Sequence, residues 1–300
     1  MSDSNQKYAL ISGASSGIGY QLAIVLSKKG YKVLGSAPEK LLWEMNPLKE
    51  EYGVIPFACD ITSVEEIKKG AEFVKQQTGG RLDILYNNAG ISVGGPSVEI
   101  DDDDLERLFK INTLGHIYMT KYMIDFVIAA KGTIVYTSSV CARCPLSWVG
   151  AYCATKSAID SYASVLRMEM KPFGVRVHSV ITGGVDTAIC DSNVKVSMAG
   201  SRYDVPGVLE SLRSSAMMSR DLNISAEDYA KQVVAVITKK SDPGFNIYRG
   251  ARSYFLHWVS RFVPLWLVEY GIARHFKQLV VLRNLKKAVD AKDRKKRKLA

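Results

Sequence analysis

Tyr152 and Lys156 stand four residues apart in "AYCATKSAIDSY". On a helix that spacing puts both side chains on one face. An ammonium beside a phenol favours the phenolate, so the Tyr152 pKa is expected to fall. A tyrosine tuned toward neutral pH can give its proton to an alkoxide forming from a carbonyl. Tyr-x-x-x-Lys arises by chance in many helices, and its company is what makes it informative. Ser139 lies at the end of an apolar strand upstream, and "NNAG" at 87–90 follows another.

A second stretch, "ISGASSGIG" at 11–19, can be read two ways. Gly13-Ala14-Ser15-Ser16-Gly17 fits the G-x-S-x-G elbow of a serine hydrolase, with Ser15 as nucleophile. Gly13, Gly17 and Gly19 also suit a turn that cradles a dinucleotide pyrophosphate. The turn follows a strand and opens a helix at Ile18, as a phosphate-binding turn must. Gly13 takes the tight turn, Gly17 leaves room for the pyrophosphate, and Gly19 lets helix and sheet approach. The hydrolase needs earlier strands for its oxyanion loop, yet 12 residues precede Gly13. Its base is also missing, because His116, His178, His257 and His275 form no pattern that suggests one.

Positioning these groups requires strands. Apolar runs at Tyr8–Ser12, Lys32–Gly35, Ile55–Cys59, Ile84–Asn87, Thr133–Thr137, Arg176–Ile181 and Phe245–Tyr248 alternate with stretches of helical periodicity. Such alternation predicts parallel strands joined by crossover helices. "DDDD" at 101–104 reads as carboxylates on the N-terminus of a helix beginning near Leu105, not as a metal site.

The chain has 300 residues, 47% hydrophobic and 23% charged, as expected for one large α/β domain with an appendage. No run of about 18 uncharged apolar residues predicts a spanning helix. The first residues hold no apolar signal core, so the chain is expected to enter its first strand directly, in the cytosol. The five cysteines (Cys59, Cys141, Cys144, Cys153, Cys190) are scattered, and Cys141-x-x-Cys144 lacks a second pair at zinc spacing. They read as reduced thiols, and no metal is expected. The net charge of +10 sits in the tail: residues 249–300 hold 14 Lys and Arg against 3 Asp and Glu. The remainder, with 26 basic and 27 acidic residues, is nearly neutral. A nucleic-acid-binding body is therefore not expected, and the tail is the part that meets anions.

Over about residues 7–250 the chain resembles the short-chain dehydrogenase/reductases. The resemblance rests on Gly13, Gly17 and Gly19, Asp60 in "ACDI", Asn87-Asn88-Ala89-Gly90, Asn112, Ser139, Tyr152 and Lys156, and "TGGVDT" at 182–187. It implies a Rossmann-like, doubly wound parallel sheet over 1–250 as a dinucleotide-binding catalytic domain. It also implies roles: Tyr152 the general acid, Lys156 the group that lowers its pKa and holds the nicotinamide ribose, and Ser139 the donor to the substrate carbonyl. Asn112 would support a relay water. Gly13, Ser15, Ser16, Gly17, Ile18 and Gly19 would hold the pyrophosphate region, Asp60 the adenine, Asn88, Ala89 and Gly90 the ribose, and Val185 and Thr187 the carboxamide. Each has a plainer explanation taken singly: Asn112 a polar residue inside a helix, Ser139 a strand-end cap, Asp60 a turn former. Four catalytic types in family register are what argue for chemistry.

Two departures stand out. The common Pro-Gly is Thr182-Gly183 here. The acid with which NAD users hold the ribose 2′-hydroxyl is replaced by Ala37, followed by Pro38 where NADP users often have arginine. NADPH is the expected cofactor, with Ser15, Ser36 and Lys40 as candidate contacts to its 2′-phosphate. "LDILYNNAG", "EMKPFGVRV", "ITGGV" and "VPLWLVEYG" resemble a fungal branch of the family that reduces the keto group of 1-acyl-dihydroxyacetone phosphate. That implies an acylated, phosphorylated ketone as substrate, with a retinol- or steroid-type substrate as the alternative.

Residues 188–224 read as an irregular serine-rich stretch closing over substrate, with Lys195, Arg202, Arg213 and Arg220 as candidates for its phosphate. From 251 the chain changes character. "YFLHWVSRFVPLWLVEYG" places Phe255, Trp258, Val259, Phe262, Leu265 and Trp266 at helical spacing, with His257, Ser260 and Arg261 opposite. A second amphipathic run, Ile272–Val289, leads into "KDRKKRK". Apolar face plus basic tail predicts that 251–300 anchors to an anionic membrane or lipid-droplet surface, on the cytosolic side of the endoplasmic reticulum or a droplet. The alternative is a helix packed on the body or on a second subunit of a homo-oligomer.

Overall fold

The computed structural model describes residues 6–189, 197–221 and 224–299. In order, the first half runs β1 (Lys7–Ser12), α1 (Gly17–Lys28), β2 (Tyr31–Ala37), a 3₁₀ turn (Glu39–Met45), α2 (Asn46–Tyr52), β3 (Ile55–Ala58), α3 (Val64–Thr78) and β4 (Ile84–Asn87). It continues through α4 (Asp102–Phe109), a π-helical turn (Lys110–Gly115), α5 (His116–Ala130), β5 (Thr133–Ser139), a 3₁₀ turn (Val140–Ala142), α6 (Gly150–Met170) and β6 (Arg176–Thr182). Then follow β7 (Val185–Asp186), α7 (Val208–Ala216), α8 (Met218–Asp221), β8 (Ile224–Ser225), α9 (Ala226–Ile237), β9 (Asn246–Arg249), α10 (Ser253–Phe262), α11 (Leu265–His275) and α12 (Gln278–Leu299).

Seven strands form one parallel sheet in the order β3-β2-β1-β4-β5-β6-β9. All seven sequence-derived strands are there, each within two residues at its ends. Helices cover both faces, so successive residues of a central strand enter different cores. Ala9 and Ile11 pack with Leu22, Leu26 and Val233 from α1 and α9, whereas Leu10 packs with Met123 and Ile159 from α5 and α6. All seven residues of β5 are buried. The strand order reverses between β1 and β4, and in open sheets of this kind the ligand crevice lies beyond the carboxyl ends at that point.

Helix ends follow local rules. Ser63 caps α3 by accepting from the Glu66 N–H, and Gly79 closes the helix at φ 64°. The acidic run does sit on a helix N-terminus: Asp102, Asp103 and Asp104 form the first turn of α4. Among the described residues no group of three or more His, Cys, Asp or Glu is placed to hold a metal ion.

Two sequence expectations need correction. The stretch 188–224 is not irregular throughout, because α7 and α8 lie within it. Its Lys195, like Cys190, falls outside the described residues. The apolar run at 254–271 is two helices, since Pro264 caps α11 and Val263 is extended at ψ 135°. The run Ile272–Val289 breaks at Lys277, whose φ is +58°. Among the described residues no helix is long and apolar enough to cross a membrane.

Candidate active site

The carboxyl ends of β1, β4 and β5 are tied together by side chains. Ser12 Oγ accepts from the Asn88 N–H at 3.0 Å and the Ala89 N–H at 3.2 Å. The Asn88 amide donates to the carbonyls of Ser12 and Gly13, both at 3.3 Å, while its oxygen accepts from Thr137 at 3.1 Å. Lys156 Nζ donates to the Thr137 carbonyl at 2.9 Å. One hydrogen-bonded chain therefore runs from the glycine turn to the lysine of α6. Ser12 and Thr137 went unnoticed in the sequence. Their only signal is position, at the end of β1 and two residues before Ser139.

The glycine turn fits a phosphate group. Gly13 and Gly17 hold φ of +68° and +56°, where a side chain is strained. A Cβ on Gly19 would lie 2.1 Å from the Gly13 carbonyl oxygen. Helices α3, α4 and α9 carry carboxylates in their first turns, but α1 carries none, and its N-cap Ser16 makes no side-chain capping bond. The positive end of α1 is thus left for an external anion.

A cavity of about 500 Å³ opens over this point. Gly13, Ser15, Ser16, Gly17, Ile18, Asp60, Asn88, Ala89, Gly90, Val185 and Thr187 line it, and so do Ser139, Tyr152 and Lys156. Gly19 and Asn112 stand behind the wall. Asp60 is set by an Asx turn, its carboxylate accepting from Thr62 N–H at 2.9 Å, while Glu66 accepts from its own N–H at 2.8 Å. Asn112 rides the π-helical turn, a distortion common at functional sites. Its oxygen accepts from the Ile91 N–H at 2.9 Å, and its amide donates to the Ile91 carbonyl and to Thr155. Gly90 keeps the space between Asn112 and Lys156 open: a Cβ there would lie 3.3 Å from Asn112 Oδ1 and 3.6 Å from Lys156 Nζ.

Lys156 lies 5.7 Å from the centroid of the Tyr152 ring and is 2% exposed. Burial lowers its pKa to about 8. The sign matters for stability. Below pH 8 the lysine is charged in folded and unfolded chains alike, and the fold bears the cost of burying that charge. Between about 8 and 10.5 the unfolded chain binds the extra proton, so stability rises with pH. The rise from this group is on the order of 3 kcal/mol. Lys156→Met should remove it, which urea unfolding of both proteins at pH 7.5 and 10 will measure.

Several expected contacts are absent. Ser36 is wholly buried with its hydroxyl unpartnered, and exposed Lys40 does not line the cavity. Of the three 2′-phosphate candidates only Ser15 does. None of the described phosphate candidates lines the cavity: Arg202 pairs with Glu99 at 3.0 Å, Arg213 is exposed, and Arg220 lies 3.9 Å from Asp186, which stands between the lining residues Val185 and Thr187. Among the described residues no histidine lines the cavity, so Ser15 has no base there. His116 and His178 are buried and bound to the carbonyls of Ala89 and Gly244. Unforeseen lining comes from Ile91, Val149, Ser215, Ala216 and Met218.

A family profile described as short chain dehydrogenase matches residues 7–196. The chain belongs to that family. The chain is 39% identical over 293 residues to a Saccharomyces cerevisiae protein named NADPH-dependent 1-acyldihydroxyacetone phosphate reductase, covering 96% of this chain and 97% of the other. A Schizosaccharomyces pombe protein of the same name is 36% identical over 185 residues, 61% of this chain and 62% of that one. The dehydrogenase fold also matches the crystal structure of a short-chain dehydrogenase from Streptomyces avermitilis at a TM-score of 0.75, with 21% identity over 93% of this chain and 98% of the other.

Proposed function

We propose that the protein is an NADPH-dependent reductase of the keto group of 1-acyl-dihydroxyacetone phosphate, working at a lipid surface. The observation that carries the reductase reading is a single cavity lined by the glycine turn and by Ser139, Tyr152 and Lys156. The full-length relative named for that reaction supports the substrate. Ala37, where a carboxylate would repel a 2′-phosphate, supports NADPH.

In this reading Gly13, Ser15, Ser16, Gly17 and Ile18 receive the pyrophosphate against α1. Asp60 faces the adenine, Asn88, Ala89 and Gly90 the ribose, and Val185 and Thr187 the carboxamide. NADPH, when bound, supplies the hydride. Ser139 donates a hydrogen bond to the substrate carbonyl and Tyr152 gives the proton to the developing alkoxide. The Lys156 ammonium makes that phenol a stronger acid. Asn112 fixes the loop at Ile91 behind the lysine and leaves room for a relay water.

The lipid surface is supported by exposed aromatic side chains on α10 and α11. Tyr254, Trp258 and Phe262 form a row on α10, with ring centroids 5.8 and 5.3 Å apart. Phe262 is 74% exposed and Trp266 on α11 is 68% exposed. The other sides pack inward through Leu256, Val259, Val263 and Val268, so Val259 does not share the outward face with Trp258 and Phe262 as its spacing predicts. An outward apolar face beside a basic helix matches interfacial attachment.

The test is purified protein with acyl-dihydroxyacetone phosphate in anionic vesicles, following absorbance loss with NADPH and NADH side by side. Turnover of this substrate with preference for NADPH is expected; oxidation of neither cofactor refutes the reading. In the same vesicles, W258S/F262S/W266S should cosediment at least about tenfold less than the parent, because the buried aromatic area is gone. Unchanged sedimentation, or a parent that dimerises through this face, would remove the lipid surface from the proposal.

A further inference from the structure

Just before the helix that carries Tyr152, the backbone of Trp148 holds φ +66°. Among the described residues three other non-glycine positions share a positive φ, and all three (Lys131, Arg252 and Lys277) are exposed, whereas Trp148 is buried. For a bulky residue this conformation is strained, and it persists only where the surroundings over-determine it. Here hydrogen bonds do so. The Trp148 carbonyl accepts from the Gly95 N–H at 2.7 Å. Its indole N–H donates to Ser211 Oγ on α7 at 2.8 Å, and Ser211 Oγ donates to the carbonyl of Phe276, where α11 ends, at 2.6 Å. Beside it, Ser147 Oγ donates to Gln278 Oε1 at 2.7 Å, and the Ser147 carbonyl accepts from Ser215 Oγ at 2.6 Å. Ser147, Ser211 and Ser215 are all buried.

We propose that the corner between α11 and α12 is a strap on the active site: through Ser211 and Gln278 it holds Ser147 and Trp148, and these set the first turn of α6, which carries Tyr152. Ser211 and Gln278 are positioning residues, since neither lines the cavity. The strap stands on the hydrogen bonds; its effect on turnover rests on the reductase reading above.

Each link to the chemistry is short. Val149, next to Trp148, is the N-cap of α6, and its carbonyl accepts from the Cys153 N–H at 2.9 Å. Tyr152 stands within that turn, and Val149 itself lines the cavity. Gly95 belongs to the loop after β4 that brings Ile91 and Ser92 to the lining. That loop and α6 fit closely: a Cβ on Gly150 would lie 2.3 Å from Ser97 Oγ. Ser215, on the same helix as Ser211, also lines the cavity. The corner turns at Lys277, whose φ is +58°, and beyond it the buried Val281 packs with Val208 and Leu212 of α7. The extension thus holds the site with its inner side, while the exposed aromatic side chains of α10 and α11 lie on its outer side.

Removing the Ser211 hydroxyl leaves the indole N–H and the Phe276 carbonyl buried without partners. Trp148 then relaxes toward an unstrained backbone, and the first turn of α6 moves with it. A misplacement of about 1 Å costs about 10²-fold in rate. The glycine turn between β1 and α1 takes no part in the strap, so cofactor affinity should not follow turnover.

The experiment compares the full-length protein with Ser211→Ala, Gln278→Leu and Gln278→Glu by turnover, NADPH affinity and amide hydrogen exchange. Ser211→Ala and Gln278→Leu should lose at least about tenfold in kcat while NADPH binds as in the parent. Their Gly95 and Cys153 amides should exchange about tenfold faster, with no change over residues 13–19. Gln278→Glu keeps an accepting oxygen for Ser147 and should restore both kcat and exchange. Trp148→Phe removes the indole donor, so its loss should not add to that of Ser211→Ala in the double variant. Parent-like kcat in both Ser211→Ala and Gln278→Leu, unchanged exchange at both amides, or NADPH affinity falling as far as kcat would overturn the strap. If the parent itself reduces no acyl-dihydroxyacetone phosphate, faster exchange in these variants supports the strap and refutes the substrate assignment instead.

Discussion

Tyr152→Phe is expected to bind NADPH as the parent does and to lose roughly 10²–10⁴-fold in kcat. The substitution removes one oxygen and keeps the ring, which packs against the apolar cluster of Val140, Val149 and Phe276. Stability should change little. The loss falls on the chemical step because Tyr152 is the phenol among the described lining residues, and the buried Lys156 ammonium lies 5.7 Å from its ring centroid. Stopped-flow NADPH oxidation separates the step from binding, and cofactor fluorescence gives the binding. Turnover within tenfold of the parent would remove Tyr152 from the reaction.

The second large effect is at Gly19. Gly19→Ala would set a methyl 2.1 Å from the Gly13 carbonyl oxygen and 2.7 Å from Asn88 Nδ2. Neither atom can move freely. The Gly13 N–H is bonded to the Ser36 carbonyl at 2.8 Å, and Asn88 bridges the turn to Thr137. The turn must open, so nucleotide affinity should fall by at least about 10²-fold, with an overpacking cost of about 1–3 kcal/mol. Gly271→Ala is the control: its Cβ would meet nothing within 4 Å. In the middle of α11 that change should stabilise by about 0.5–1 kcal/mol and leave affinity alone. Fluorescence titration with NADPH and urea unfolding read both. Parent-like affinity in Gly19→Ala would mean that the turn is not the phosphate seat.

The two variants test different parts of one reading. The glycine position follows from spacing that was visible in "GASSGIG", although the 2.1 Å collision was not. Tyr152 and Lys156 could be placed on one helix face from the sequence, but the expected flow of charge was one-sided. Spacing alone predicts that a nearby ammonium lowers the tyrosine pKa. The fold adds that the ammonium itself is driven down to about 8 by burial. Spacing along a helix cannot report how much water the surrounding sheet excludes. The basic residues of 188–224 show the opposite failure. Arg202, Arg213 and Arg220 suit a phosphate by type, yet none of the three lines the cavity.

By itself the sequence determined the parallel α/β plan, the glycine turn at the end of β1, the register of Asn112, Ser139, Tyr152 and Lys156, and the amphipathic character after 251. These follow from local rules: residue periodicity, turn chemistry and short spacings act over a few residues and are written along the chain. Tertiary structure alone decided which groups share a wall. It joined Ser12, Asn88, Thr137 and Lys156 in one hydrogen-bonded chain, brought Ser215 and Met218 to the cavity from far along the chain, and left Phe262 and Trp266 outward. Burial and contact across the sheet depend on how distant segments pack, and no local pattern carries that information.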